Sequence, residues 1–347
     1  SDDGGGGGGG GGRGSGDSRA SPGSPAYPLS SGAKWSPLVA ALAAAQPAMV
    51  RMLLQHGADP YAHGSLSFTA FTGHSAEKVE ILRILLDVMS EDSARGRGLW
   101  SDDPDEVLQC VVALRKLLSV EGTPHIGEVT QRNFAPRLVE LLRTVNHYER
   151  ASANIAFEAA WALTNIASGT HQDTEHVVDA GAVPVFVSHL NSDNVDLAEQ
   201  CMWAIGNISG DTPELRDLCL ASGALRGVLQ ELQDTRLGAS GMRNGVWALS
   251  NLARGKPSPP LEAVAPALPV LLALITTSND DEILTDACWA ASYISDGNDA
   301  DIGAVVASGM VPRLLELMGH ANAAVVTPAL RTIGNLVTGA NDLTEDV

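Results

Sequence analysis

The sequence predicts an all-α chain in which short helices stack into an elongated solenoid. Three observations predict it. Apolar helical segments introduced by proline recur along the chain, as in Ala135-Pro136, Val183-Pro184, Leu268-Pro269 and Val311-Pro312. Between them a Trp-Ala-x-x-Asn element returns at Trp161, Trp203 and Trp247, and in altered form at Trp289 and Arg331, in steps of 42, 44, 42 and 42 residues. The chain is 44% hydrophobic but only 4% aromatic, so its core is built from Leu, Val, Ile and Ala, a composition that points to helices.

Taken in order, residues 1–33 form a Gly/Ser-rich tail, with 13 of the 36 glycines in the first 32 positions. Polyglycine has no side chain to bury and much backbone entropy to lose, so disorder is expected there. A phosphate-cradling loop is not expected, because the flanking strand and the Lys-Ser/Thr pair are missing. Residues 34–92 read as an ankyrin-like helical segment. Ser36-Pro37-Leu38 supplies an N-cap and a first-turn proline, and Gly57-Ala58-Asp59 closes a second helix with Gly57 left-handed. Residues 36–62 resemble one ankyrin repeat on that pattern, and residues 78–89 give a weaker helical echo. Two imperfect repeats cannot bury a continuous core, so a docking cap is expected rather than an independent domain. Residues 93–104 read as a linker.

Residues 105–347 carry the repeat. Gly223-Ala224-Leu225 occupies the proline slot without its proline, and residues 112–118 look like an earlier copy of the long helix without its Trp. About six repeats of three helices at a period near 42 are the signature of a right-handed armadillo solenoid.

The Trp and Asn of each repeat are spaced i and i+4, so they share one helix face one turn apart. Leu163 and Ile166, or Leu249 and Leu252, point the other way, into the core. Asn is a poor helix-interior residue, and its return in one slot calls for a function. Stacking brings equivalent faces into one concave groove, lined by a row of indoles beside a row of carboxamides. Carboxamides both donate and accept, so they can hold an extended peptide backbone of any sequence. Indole faces suit long aliphatic stems ending in a cation, at about 0.5–2 kcal/mol for the cation–π contact. Lys and Arg side chains fit such slots best.

At the level of motifs, Phe157-Glu-Ala-Ala-Trp-Ala-Leu-Thr-Asn-Ile-Ala-Ser-Gly-Thr170, Thr285-Asp-Ala-Cys-Trp289 with Ser292-Tyr-Ile-Ser-Asp-Gly297, and Thr327-Pro-Ala-Leu-Arg-Thr-Ile-Gly-Asn-Leu-Val-Thr-Gly339 resemble importin-α, the adaptor that carries nuclear localisation signals. The resemblance covers about residues 101–347. It implies that Trp161, Asn165, Trp203, Asn207, Trp247 and Asn251 form the main signal site. It also implies that Ser168, Gly169 and Thr174 border the first pocket and that Asp211 pairs with the critical signal lysine. Gln200 and Asn244 would add polar contacts, and Asp286 with Trp289 would extend the groove, followed by Tyr293, Arg331 and Asn335. Importin-β is the partner the family implies. Residues 1–34 hold only Arg13, Arg19 and Lys34, so the family's basic importin-β-binding arm is expected to be missing, as are its later repeats.

Net charge is −19, and residues after Trp100 hold 14 basic against 32 acidic side chains. Such a chain repels phosphate backbones, so a basic protein partner is expected and nucleic acid is not. Cys110, Cys201, Cys219 and Cys288 show no paired spacing, which fits a reducing compartment. No apolar run reaches the ~20 residues needed to span a bilayer. No His-Glu-x-x-His or nucleophile–base constellation is present, so no enzyme activity, cofactor, metal or small-molecule substrate is expected. The functional expectation is a nuclear import adaptor of cytoplasm and nucleus. The alternative is an ankyrin/armadillo scaffold without import activity.

Overall fold

The computed structural model describes residues 37–56, 58, 76–89, 98–120, 125–146 and 149–339, and these contain helices and no strand. The expected tail, Ser36 as N-cap, Gly57 and Asp59, residues 93–97 of the linker and everything after Gly339 lie outside the described residues. Three helices come first: α1 (Pro37–Ala43), α2 (Pro47–Gln55) and α3 (Ala76–Met89). The repetitive array opens with the long helix α4 (Pro104–Leu118). Five triplets follow. They are α5 (Ile126–Thr130), α6 (Ala135–Arg143) and α7 (Arg150–Ile166); α8 (His171–Asp179), α9 (Ala182–His189) and α10 (Val195–Asp211); and α11 (Pro213–Ala221), α12 (Ala224–Glu231) and α13 (Ala239–Ala253). Then come α14 (Leu261–Val264), α15 (Leu268–Thr277) and α16 (Asp281–Ser295), and last α17 (Asp299–Ala307), α18 (Val311–Leu317) and α19 (Ala323–Leu336). Each long third helix packs on the next, in the order α4, α7, α10, α13, α16, α19. Six such helices match the periodicity expected from the sequence.

Local chemistry sets the helix starts. Thr170 and Asn298 each form a reciprocal capping box with an Asp three residues on, Asp173 and Asp301, at the starts of α8 and α17. Thr212 caps α11, with Pro213 in its first turn. Asp103, Asn194, Asp280 and Asn322 cap the long helices α4, α10, α16 and α19. In each case a side-chain oxygen satisfies backbone N–H groups that have no partner within the helix.

The corner between first and second helices recurs as well. Gly181, Gly223 and Gly309 occupy it with φ of 79°, 87° and 82°, a left-handed conformation that costs little without a Cβ. Asn133, at φ 53°, takes the same corner in the first triplet. In the fourth triplet a 3₁₀ turn, Ala265–Ala267, replaces it.

The start of the array is covered by the preceding segment. Arg132 reaches the Asp87 carboxylate of α3 at 2.7 Å and donates to the Arg83 carbonyl at 3.1 Å. Arg137 of α6 donates to the Leu99 carbonyl at 2.9 Å. Gly98–Trp100, which the sequence reading places in the linker, forms a 3₁₀ turn with Leu99 fully buried and Trp100 packed on Phe134 at 6.2 Å between ring centroids. Two apolar side chains within three residues give that stretch reason to pack, although its neighbours are polar.

Gly223 and Gly127 separate backbone strain from steric fit, since a Cβ on either would meet no atom within 4 Å. Gly223→Ala is expected to lower stability by about 1–2 kcal/mol, the left-handed penalty alone. Gly127→Ala, inside α5, is expected to raise it by about 0.8–1 kcal/mol. Urea unfolding midpoints of the two variants check both signs.

Candidate functional site

Trp161, Trp203, Trp247 and Trp289 stand at equivalent places on α7, α10, α13 and α16. On the opposite faces Leu163, Ile166, Ile205, Ile208, Leu249 and Leu252 are fully buried, as their spacing requires. Trp203 is the most exposed of the four indoles, at 38%.

Glycine sets how the ladder closes. A Cβ on Gly206 of α10 would lie 2.7 Å from Cε3 of Trp247, so only glycine lets that ring lie against the preceding helix. One turn on, a Cβ on Gly210 would come within 2.9 Å of Nδ2 of Asn251. Consequently Asn251 is 5% exposed, and its Nδ2 donates to the Gly206 carbonyl at 3.0 Å.

The other carboxamides do the same. Asn207 donates to the Thr164 carbonyl at 3.1 Å and Asn165 to Ser119 Oγ at 2.9 Å. Asn335 donates to the Ser292 carbonyl at 3.0 Å and to Ser295 Oγ at 3.1 Å. Sequence reasoning treats these amides as groove-facing groups only. The structure commits at least one N–H of each to the previous long helix, which locks the side-chain rotamer. Asn165, Asn207 and Asn335 stay partly exposed, whereas Asn251 is buried.

The ends of the row are clamped differently. The Arg115 guanidinium lies 4.4 Å from the Trp161 ring centroid, and Glu158 holds it through bonds of 2.6 and 3.2 Å. Phe157 meets Trp161 edge-on at 5.8 Å. At the far end Trp289 stacks on Tyr293 at 5.6 Å, and burial holds the Tyr293 hydroxyl above its usual range. Arg331 is exposed, with Nη2 4.0 Å from Asp296, a carboxylate that also takes Lys256 Nζ at 3.1 Å.

The remaining expected residues divide by burial. Asp211 closes α10 and accepts from His171 Nδ1 at 2.6 Å. Asp286 and Gln200 are buried, and Gln200 Nε2 has no hydrogen-bond partner. Thr174 is 1% exposed and donates to the Ala167 carbonyl at 3.2 Å, so it braces the turn after α7. Ser168 is exposed and donates to the Asn165 carbonyl. A Cβ on Gly169 would lie 2.7 Å from Asp173 Oδ2, so glycine leaves room for the capping box of α8. Asn244 donates to Glu199 Oε1 at 3.0 Å, a carboxylate shared with Ser240.

Arg115, Glu158, His171, Gly206 and Gly210 escape sequence reasoning as members of this site. Gly206 alone carried a signal, as the small residue inside Trp203-Ala-Ile-Gly-Asn207. Burial raises the thiols of Cys219 and Cys288 to about 12 and that of Cys201 higher still, so none is a thiolate at neutral pH. Among the described residues no cluster of His, Cys, Asp or Glu is placed to hold a metal, and no helix is long and apolar enough to cross a membrane.

The Armadillo/beta-catenin-like repeat model matches residues 170–210, 257–296 and 298–338. Importin subunit alpha-1b of Oryza sativa subsp. japonica is 50% identical over 251 residues, 72% of this chain and 46% of that protein. Importin subunit alpha-3 of Arabidopsis thaliana is 45% identical over 276 residues, 79% of this chain and 50% of that one. The chain therefore spans about half the length of the curated relatives it matches. Among solved structures, a designed armadillo repeat protein in complex with the peptide (KR)4 aligns with a TM-score of 0.61 and 26% identity, covering 68% of this chain and 95% of that one. An engineered protein aligns with the same TM-score at 28% identity, covering 70% and 96%.

Gly206→Ala tests the close approach of α13 to α10. The added methyl is expected to displace the Trp247 ring, lower stability by about 1–3 kcal/mol and shift the indole emission toward that of water-exposed Trp. Unchanged emission in a folded variant would show that the ring does not depend on Gly206.

Proposed function

We propose, for a chain whose armadillo region belongs to the importin-α family, that the groove reads nuclear localisation signals, binding Lys/Arg-rich segments as extended peptides. The observation that carries this reading is the ladder of Trp161, Trp203 and Trp247 beside Asn165, Asn207 and Asn251 on successive long helices. Indole faces one repeat apart leave slots for the aliphatic stems of basic side chains, whose cations gain cation–π attraction. The partly exposed carboxamides of Asn165 and Asn207, fixed by their bonds to the preceding repeat, can meet peptide backbone groups one repeat apart, which favours an extended backbone of unspecified sequence. The Asp211 carboxylate at the end of α10 receives the lysine that counts most.

The (KR)4 peptide of the designed armadillo neighbour is of the same chemical class, and that adds support. On this reading the chain supplies the cargo-reading part of a non-enzymatic import adaptor that works with importin-β and moves between cytoplasm and nucleus. The ankyrin-like segment packs on the first end of the solenoid through Arg132, the linker through Arg137, and neither takes a direct part in reading the signal.

Fluorescence anisotropy with a labelled, N-acetylated Lys-rich localisation peptide tests the proposal. Trp203→Ala and Asp211→Lys are each expected to weaken binding by about 30-fold or more, on the scale of an interface hot spot. Replacing the key peptide lysine by Thr gives a comparable loss. Raising NaCl from 50 to 500 mM weakens the wild type steeply, because two or three ammonium contacts are screened. Absent or salt-insensitive binding by a folded chain would overturn the proposal in favour of an ankyrin/armadillo scaffold.

A further inference from the structure

The carboxylate that the proposed reading assigns to the incoming lysine already has an occupant. His171, the first residue of α8, places Nδ1 2.6 Å from Oδ2 of Asp211, the last residue of α10. These residues are 40 apart in sequence and meet only because successive repeats stack. The Asp211 side chain is 22% exposed, so a bound ammonium and the imidazole would have to share one small acceptor surface.

The charged groups around the imidazole are uniformly acidic. Asp211 faces it from α10, Glu214 from the first turn of α11, and Glu175 from one turn along α8, 3.4 Å from Nε2. The nearby Asp173 is engaged by the Thr170 N–H and hydroxyl in the capping box. His171 is held above its ordinary value, chiefly by the hydrogen bond to Asp211 and then by the negative charge of Asp211, Glu175 and Glu214. Its charged form is therefore present toward neutral pH.

We propose that His171 is a specificity-determining residue of the groove, a built-in competitor whose imidazolium pairs with Asp211 and must lose its proton before a peptide lysine can pair there. The inference rests on the peptide-reading function above. Two cations at one carboxylate repel, so lysine binding and imidazole protonation oppose each other. Because the imidazolium pair is favoured below the raised His171 value and lost above it, peptide affinity rises with pH through that range. Each lysine bound in the range releases a proton. A groove with a neutral residue in place of His171 reads the same peptide without this dependence.

The test uses the full chain and an N-acetylated Lys-rich peptide free of His, with Kd measured from pH 8 to pH 6 at constant ionic strength. The wild type is expected to bind about three- to tenfold more weakly at pH 6. His171→Ser removes that slope, and His171→Lys makes binding weak at both pH values. Imidazole NMR of His171 gives a second readout: its pKa falls in Asp211→Asn and on saturation with peptide. A wild-type affinity that holds constant, or a slope that survives in His171→Ser, overturns the competitor role while leaving the groove reading intact. Absence of binding at pH 8 overturns both.

Discussion

Close approach of successive long helices is the constraint on which the rest depends. Where α13 meets α10, a glycine at 206 admits the Trp247 ring and a glycine at 210 admits the Asn251 amide. The amide then bonds to the Gly206 carbonyl, so backbone and side chain of neighbouring repeats are tied at one point. Asn207 makes the equivalent tie from α10 to α7, and Asn335 from α19 to α16. These bonds tie α10, α13 and α19 to the long helix before each. The same residues that shape the groove floor thus hold the solenoid together.

Charged side chains along this face are paired within the chain. Arg115 is neutralised by Glu158 and laid over Trp161, Lys256 is paired with Asp296, and His171 with Asp211. Internal pairing removes the cost of leaving like charges unmatched along a narrow surface, and it divides the face into zones. Trp203, the most exposed indole, lies between the clamped Trp161 and the stacked Trp289.

Much of the architecture was legible because it repeats. The 42-residue period, the proline in the first turn of four of the five second helices and the Gly181, Gly223 and Gly309 corners are local signals, each with its own backbone reason. The buried Leu and Ile opposite each Trp followed from helical spacing alone. The 3₁₀ turn at Gly98–Trp100 was less legible, because besides the nearby Glu106 its partners are Phe134 and Arg137, more than 30 residues away. The burial of Thr174 and Gln200 was not legible, since it depends on how α8 and α10 lean on their neighbours.

By itself, then, the sequence determined the helical class, the repeat count, the register of Trp and Asn and the side of each helix that faces the core. These follow from periodicities of a few residues and from caps and turns that act within one helix. The tertiary structure decided which partners those residues have. Asn165 finds Ser119, Asn207 finds the Thr164 carbonyl, Arg115 finds Glu158 and His171 finds Asp211, all across 40 to 46 positions. Pairings at that range depend on the angle and distance between stacked repeats, quantities set by packing of whole helices rather than by any local pattern.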